Sequence, residues 1–235
     1  MEELPHSASW ILKGAVRSFY KENYRRSRWL CRMELLRSPN NYFALCWCAN
    51  SLYFSGKDHE AASLYERAIK VNPEHPLAHA GLGRIHYGNA LRIHQEYRIF
   101  PGGSWVMFAD EINPEDLENK KKILIPGYAD SQVGNRQIAI KELEKAAALS
   151  NEKQDKVDLL YMEAVIHCII DNKQAIKAYK RVLRLDPEHI HARYDLAGCY
   201  AALGDSKSAL HEYEYLKEHA PEEASDLEPL LTKSV

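Results

Sequence analysis

The sequence predicts an all-α solenoid of stacked antiparallel helix pairs, with one long insertion inside a repeat. Amphipathic helical stretches alternate with short breaks along most of the 235 residues. One residue pattern also recurs. It runs Gly56, Ala61, Tyr65, Ala68, Pro73, returns as Ala175, Tyr179, Val182, Pro187, and returns again as Gly204, Ala209, Tyr213, Leu216, Pro221. Ala175 and Ala209 lie 34 residues apart, the period of a helix–turn–helix unit.

The residue types suit that unit. Alanines let two helix backbones approach closely, and the aromatic four residues later fills the groove beside them. Gly56 and Gly204 end first helices where a left-handed backbone is cheapest. Asn72-Pro73 and Asp186-Pro187 pair a polar cap with a proline, stopping one helix so that the next can start. No such unit buries its apolar face alone, so neighbours must stack.

Taken in order, residues 1–7 are expected to fray. A helix should run from Ala8 to Tyr20, with Ile11, Ala15 and Phe19 inward, and a second from Tyr24 to Arg37, with Trp29, Met33 and Leu36 as its apolar face. This pair over residues 8–40 lacks the alanine pattern and reads as a divergent terminal unit. Residues 41–75 form the first clear repeat, and the next spans 76–151. Its second-helix signature is displaced to Gly134, Ala139, Leu143 and Ala146 by an insertion over about 98–134. Phe100, Trp105, Met107 and Phe108 give that insertion an aromatic content unlike disorder, so it is expected to fold back on the repeats. It would either control access to a groove or pack on an outer face. Residues 155–187 and 188–221 are further repeats. Residues 222–235 should form an acidic capping helix, with Leu227, Leu230 and Leu231 turned inward.

The pattern resembles the tetratricopeptide repeat family. That resemblance implies a right-handed superhelix whose first helices line a concave surface that grips a partner segment. Carried over by position, the surface comprises Phe43, Cys46, Asn50 and Tyr53, then Leu77, Ala80, Arg84 and Tyr87, then His191, Tyr194, Gly198 and Ala201. It reads as an apolar, aromatic groove for a peptide or helix. Relatives that bind chaperones clamp a carboxylate with lysine and asparagine. Here Cys46 stands where a lysine belongs and Gly81 where an asparagine belongs, so that clamp is absent.

Charge and cysteines narrow the classes. The net charge of -2 makes no general case for nucleic acid or membrane. A basic surplus gathers at the N-terminal end, in the stripes Lys13, Arg17, Lys21 and Arg25, Arg28, Arg32. These form either a solvated face or a docking patch for an acidic partner, nucleic acid or an anionic membrane surface. Five cysteines without a CxxC pair suit buried, reduced thiols. With no basic-then-apolar leader pattern and no apolar run near ~18 residues, a soluble, cytoplasmic protein is expected. Gly81-Leu82-Gly83 follows no strand and lacks a third glycine, while His59-Glu60 and His211-Glu212 lack a second histidine at the metal-binding spacing. His79, His86 and His94 share a helix face and are read as satisfied side chains. The expected function is a non-enzymatic interaction scaffold or assembly factor, with no cofactor, no metal and a protein or peptide partner. A homo-oligomer is compatible with such surfaces.

Overall fold

Polar side chains at the helix starts set the element boundaries in the structure, a computed structural model that describes residues 4–97 and 128–232. Helix α1 covers Trp10–Tyr20, because the Ser9 hydroxyl accepts the Leu12 N–H at 3.1 Å. It therefore starts later than the expected Ala8. Asn23 and Asn41 cap α2, Tyr24–Arg37, and α3, Tyr42–Tyr53, in the same way. Gly56 then takes φ 72°, and α4 follows over Asp58–Val71. Next come α5, Pro76–Tyr97, and α6, Tyr128–Leu149. Helices α7, Lys153–Ile170, and α8, Asn172–Leu185, meet at Asp171, whose carboxylate accepts the Lys173 N–H at 2.8 Å. His189 caps α9, Ile190–Ala202, and Asp205 caps α10, Ser206–His219. Helix α11 is Pro221–Thr232. No strand occurs among the described residues.

Two links between helices are built alike. Asn72-Pro73 and Asp186-Pro187 do not start the following helices but form the links before them. Asn72 accepts the Glu74 N–H and Asp186 the Glu188 N–H, each at 3.3 Å. These side-chain turns carry the chain to α5 and α9 several residues later.

The chain divides into two compact units, Met1–Ile85 with Lys141–Ser150, and His86–Ile140 with Asn151–Val235. In the first unit, α1 packs on α2, α2 on α3, and α3 on α4. Its core joins Leu12, Ala15, Leu45, Ala49, Leu52, Ala61, Tyr65 and Ala68. Ala61 and Ala68 are completely buried, as expected of residues at a helix crossing. Glycines make the closest approaches. A Cβ on Gly81 would overlap the Tyr65 ring, and one on Gly83 would lie 2.9 Å from Leu143 and 3.2 Å from its backbone nitrogen. Beside that crossing, the buried His79 ring sits 2.5 Å from the Glu142 carboxylate and 2.9 Å from the Pro73 carbonyl. His79 is thus a satisfied core histidine.

In the second unit, α7 packs on α8, α8 on α9, α9 on α10, and α10 on α11. Ala175, Tyr179, Val182, Ala209 and Leu216 are buried in the register the repeat demands. Leu227 is buried in one cluster with Ala197, Leu216, Ala220 and Ala224. Glu163 on α7 is a buried acidic residue. Its buried carboxylate pairs with Arg181 at 2.8 Å, which compensates for removing the charge from water.

The expected face of α2 is reversed. Trp29, Met33 and Leu36 turn outward, 60%, 38% and 78% exposed, while Ser27, Leu30, Cys31 and Glu34 are buried. The reason lies in what α1 and α3 offer. Ser27 and Cys31 are small enough for close packing, and the Ser51 hydroxyl donates to that of Ser27 at 2.8 Å. Glu34 accepts from the Ser9 hydroxyl at 2.6 Å and from the Asn41 amide at 3.2 Å, binding the caps of α1 and α3 together. Polar pairing that a periodicity count cannot see outweighs burial of the tryptophan.

Candidate partner-binding surfaces

Within the first unit, Phe43, Asn50 and Tyr53 come from α3, and Leu77 and Arg84 from α5. Phe43 is half-buried, its ring 5.4 Å from that of His75 at 88°. Tyr42, behind it, fixes His75 by a ring contact at 4.7 Å and a hydroxyl–Nδ1 contact at 3.1 Å, while the same hydroxyl accepts the Ala78 N–H at 3.0 Å. Burial holds the His75 imidazole below its usual pKa. Leu77 is half-buried against the same core, and Arg84 extends into solvent. Asn50 has a packing role, since Tyr65 on α4 donates its hydroxyl to Asn50 Oδ1. That tyrosine also lies over Gly81, so the asparagine missing from the carboxylate clamp could not be placed there. Tyr53 remains half-exposed, edge-on to Phe54 at 5.4 Å.

The second unit holds Tyr87 on α5 and His191 and Tyr194 on α9. His191 is exposed, whereas Tyr194 is half-buried on the cluster formed by α9, α10 and α11. Next to them lies a group that the sequence reading missed. Asp195 Oδ2 accepts the hydroxyls of Tyr161 at 2.9 Å and Tyr179 at 3.1 Å. Burial pushes the Asp195 carboxyl up to about 6, against the opposing pull of both tyrosines and His191. Burial, with Asp195 adding to it, raises Tyr87 to about 12. Tyr194 is raised by burial first, then by Asp226 and Asp195. A signal was present, because Tyr161 and Asp195 are separated by one 34-residue period and equivalent positions of adjacent repeats face each other.

On the N-terminal pair, Lys13, Arg17, Lys21, Arg25 and Arg32 are exposed, while Arg28 is half-buried near Cys48. Phe100, Trp105, Met107 and Phe108 lie outside the described residues. None of the five cysteines is in a disulfide. Cys168 and Cys199 approach to 3.6 Å between sulfurs, a neighbour pair that the sequence reading did not anticipate. Among the described residues no helix is long and apolar enough to cross a membrane.

Stacked antiparallel helix pairs with half-exposed aromatics on their first helices define an α-repeat protein of the interaction-scaffold class. Models of the family described as "Tetratricopeptide repeat" match residues 49–90 and 171–233, and those stretches carry that family's repeat. No curated protein sequence matches it. Similar solved structures include YrrB, whose description is a TPR protein with an unusual peptide-binding site. It has a TM-score of 0.64 at 14% identity, with 93% of this chain and 90% of that chain covered. A MamA protein gives 0.63 at 15%, covering 92% of each chain. MamA from Desulfovibrio magneticus RS-1 gives 0.61 at 15%, covering 92% of this chain and 96% of that one. At such identities the likeness establishes the shared fold.

Proposed function

We propose that the chain is a non-enzymatic scaffold that holds a peptide or helix of a protein partner against the inner faces of its first helices. The contact residues in this reading are Phe43, Asn50, Tyr53, Leu77 and Arg84 in the first unit, and Tyr87, His191 and Tyr194 in the second. The repeat boundaries of the reading are 41–75, 76–151 with its insertion, 155–187 and 188–221.

One observation carries it. Phe43, Tyr53 and Tyr194 are half-exposed aromatics, each backed by a buried cluster that fixes its ring. Rigid aromatic surface costs little entropy to dock, and such side chains dominate interface energies. The peptide-binding description of YrrB, a structure of the same fold, agrees with this reading.

Selection of a random-peptide display library on the immobilised chain tests it. Enriched peptides should lose at least about tenfold in affinity for Tyr53→Ala or Tyr194→Ala, the loss of about 1.4 kcal/mol that a modest hot spot gives. Leu210→Ala, an exposed residue on α10, should leave binding unchanged. Peptides that bind both tyrosine variants as tightly as the wild type, or no enrichment at all, would overturn the assignment.

A further inference from the structure

We infer that the outward face of α2 is a docking surface for an anionic lipid membrane, separate from the inner faces that take a protein partner. The buried side of α2 is set by Ser27, Leu30, Cys31 and Glu34. A helix advances 100° per residue, so the opposite side carries Arg25, Trp29, Arg32, Met33 and Leu36. All five are exposed, which interleaves cations with bulky apolar groups on one solvent face. Ordinary solvated faces do not use tryptophan, methionine and leucine at i, i+4 and i+7.

The neighbouring helix repeats the chemistry. Outward from α1 stand Trp10, 76% exposed, and Tyr20, together with Lys13 and Arg17, with Lys21 just beyond its end. Between Trp10 and Arg37 the chain holds eight Lys/Arg against two acidic residues, Glu22 and Glu34. Glu34 is buried, so Glu22 in the α1–α2 link is the segment's exposed carboxylate. Glu60 on α4 lies within electrostatic reach of Arg28 and Arg32 and offsets part of this charge, yet the surface keeps a positive surplus although the chain as a whole is at -2.

These features select the occupant. Phosphate and carboxylate headgroups complement the arginines, and the acyl boundary accepts tryptophan, leucine and methionine in the same plane. Nucleic acid would satisfy the arginines and stack on the tryptophans, but Met33 and Leu36 have no flat face to offer a base. A protein partner would take up such anchors in shaped pockets. Side chains that protrude as far as Trp29 and Leu36 suit a fluid phase that closes around them. Since no described helix can span a bilayer, the contact would be peripheral.

Co-sedimentation of the full chain with large vesicles decides the matter. Phosphatidylcholine alone is compared with phosphatidylcholine containing about 30 mol% phosphatidylserine. Binding at least about tenfold tighter to the anionic vesicles is expected, weakened by added salt. Both Arg25→Glu/Arg32→Glu and Trp29→Ala/Leu36→Ala should abolish the preference while melting like the wild type, because all four side chains are exposed. Vesicles with brominated acyl chains should quench fluorescence from Trp29, read as the part of the quenching lost in Trp29→Phe. Equal affinity for both vesicle types overturns the proposal. Loss with the arginine variant alone reduces the surface to a general anion patch and also overturns it. Absence of vesicle binding together with concentration-dependent self-association, removed by Trp29→Ala/Leu36→Ala, would make the face a protein interface instead.

Discussion

The Tyr161 hydroxyl donates to Asp195 Oδ2 at 2.9 Å across 34 residues of sequence, linking equivalent first helices of adjacent repeats. Tyr179 on the intervening second helix donates to the same oxygen at 3.1 Å. A single carboxylate therefore joins α7, α8 and α9, and its protonation bears on their packing.

The sign of that effect follows from the Asp195 carboxyl being raised from 3.8 to about 6. Between these values the folded chain binds the proton more tightly than the unfolded chain does. Stability should fall as pH rises from about 4 through about 6 and then level off. The full amplitude is at most about 3 kcal/mol. Chemical denaturation across this range should show the slope, and Asp195→Asn should remove it.

Tyr161→Phe deletes one donor and keeps the ring. At pH 7, where Asp195 is ionised, the variant should lose about 1–3 kcal/mol by leaving part of a buried carboxylate unpaired. The same substitution should cost less at pH 4, where the carboxyl is neutral. Urea melts at the two pH values compare the losses directly, and equal losses would mean that Tyr161 acts through packing alone.

Three glycines on α5 separate close packing from helix propensity. Gly81→Ala collides with the Tyr65 ring and should cost about 1–3 kcal/mol. Gly83→Ala meets Leu143 and a backbone nitrogen and should behave similarly. Gly88 has nothing within 4 Å of an added Cβ, so Gly88→Ala should stabilise by about 0.5–1 kcal/mol. Thermal melts of the three variants check the ordering.

Glu34→Ala removes the acceptor shared by Ser9 and Asn41, the cap residues of α1 and α3. A loss of about 1–3 kcal/mol is expected, with the N-terminal pair opening first. Glu34→Gln should recover part of it by keeping one acceptor oxygen. Amide hydrogen exchange should show faster exchange confined to α1 and α2 in the alanine variant.

The repeat period, the buried alanines Ala61, Ala175 and Ala209, the left-handed glycines Gly56 and Gly204, and the extent of α2 were all legible in the sequence. Each is a local requirement repeated at fixed spacing: a close helix crossing admits alanine, and a positive φ admits glycine. Tertiary structure alone decided which face of α2 turns inward, because the choice depends on Ser51, Ser9 and Asn41 reaching Ser27 and Glu34 from other helices. It also decided that Tyr161, Tyr179 and Asp195 meet, and that Tyr65 covers Gly81. Periodicity ranks residues by their own hydropathy. Burial of a polar group is decided by the partners that other helices bring to it, and those contacts form only when the pairs stack.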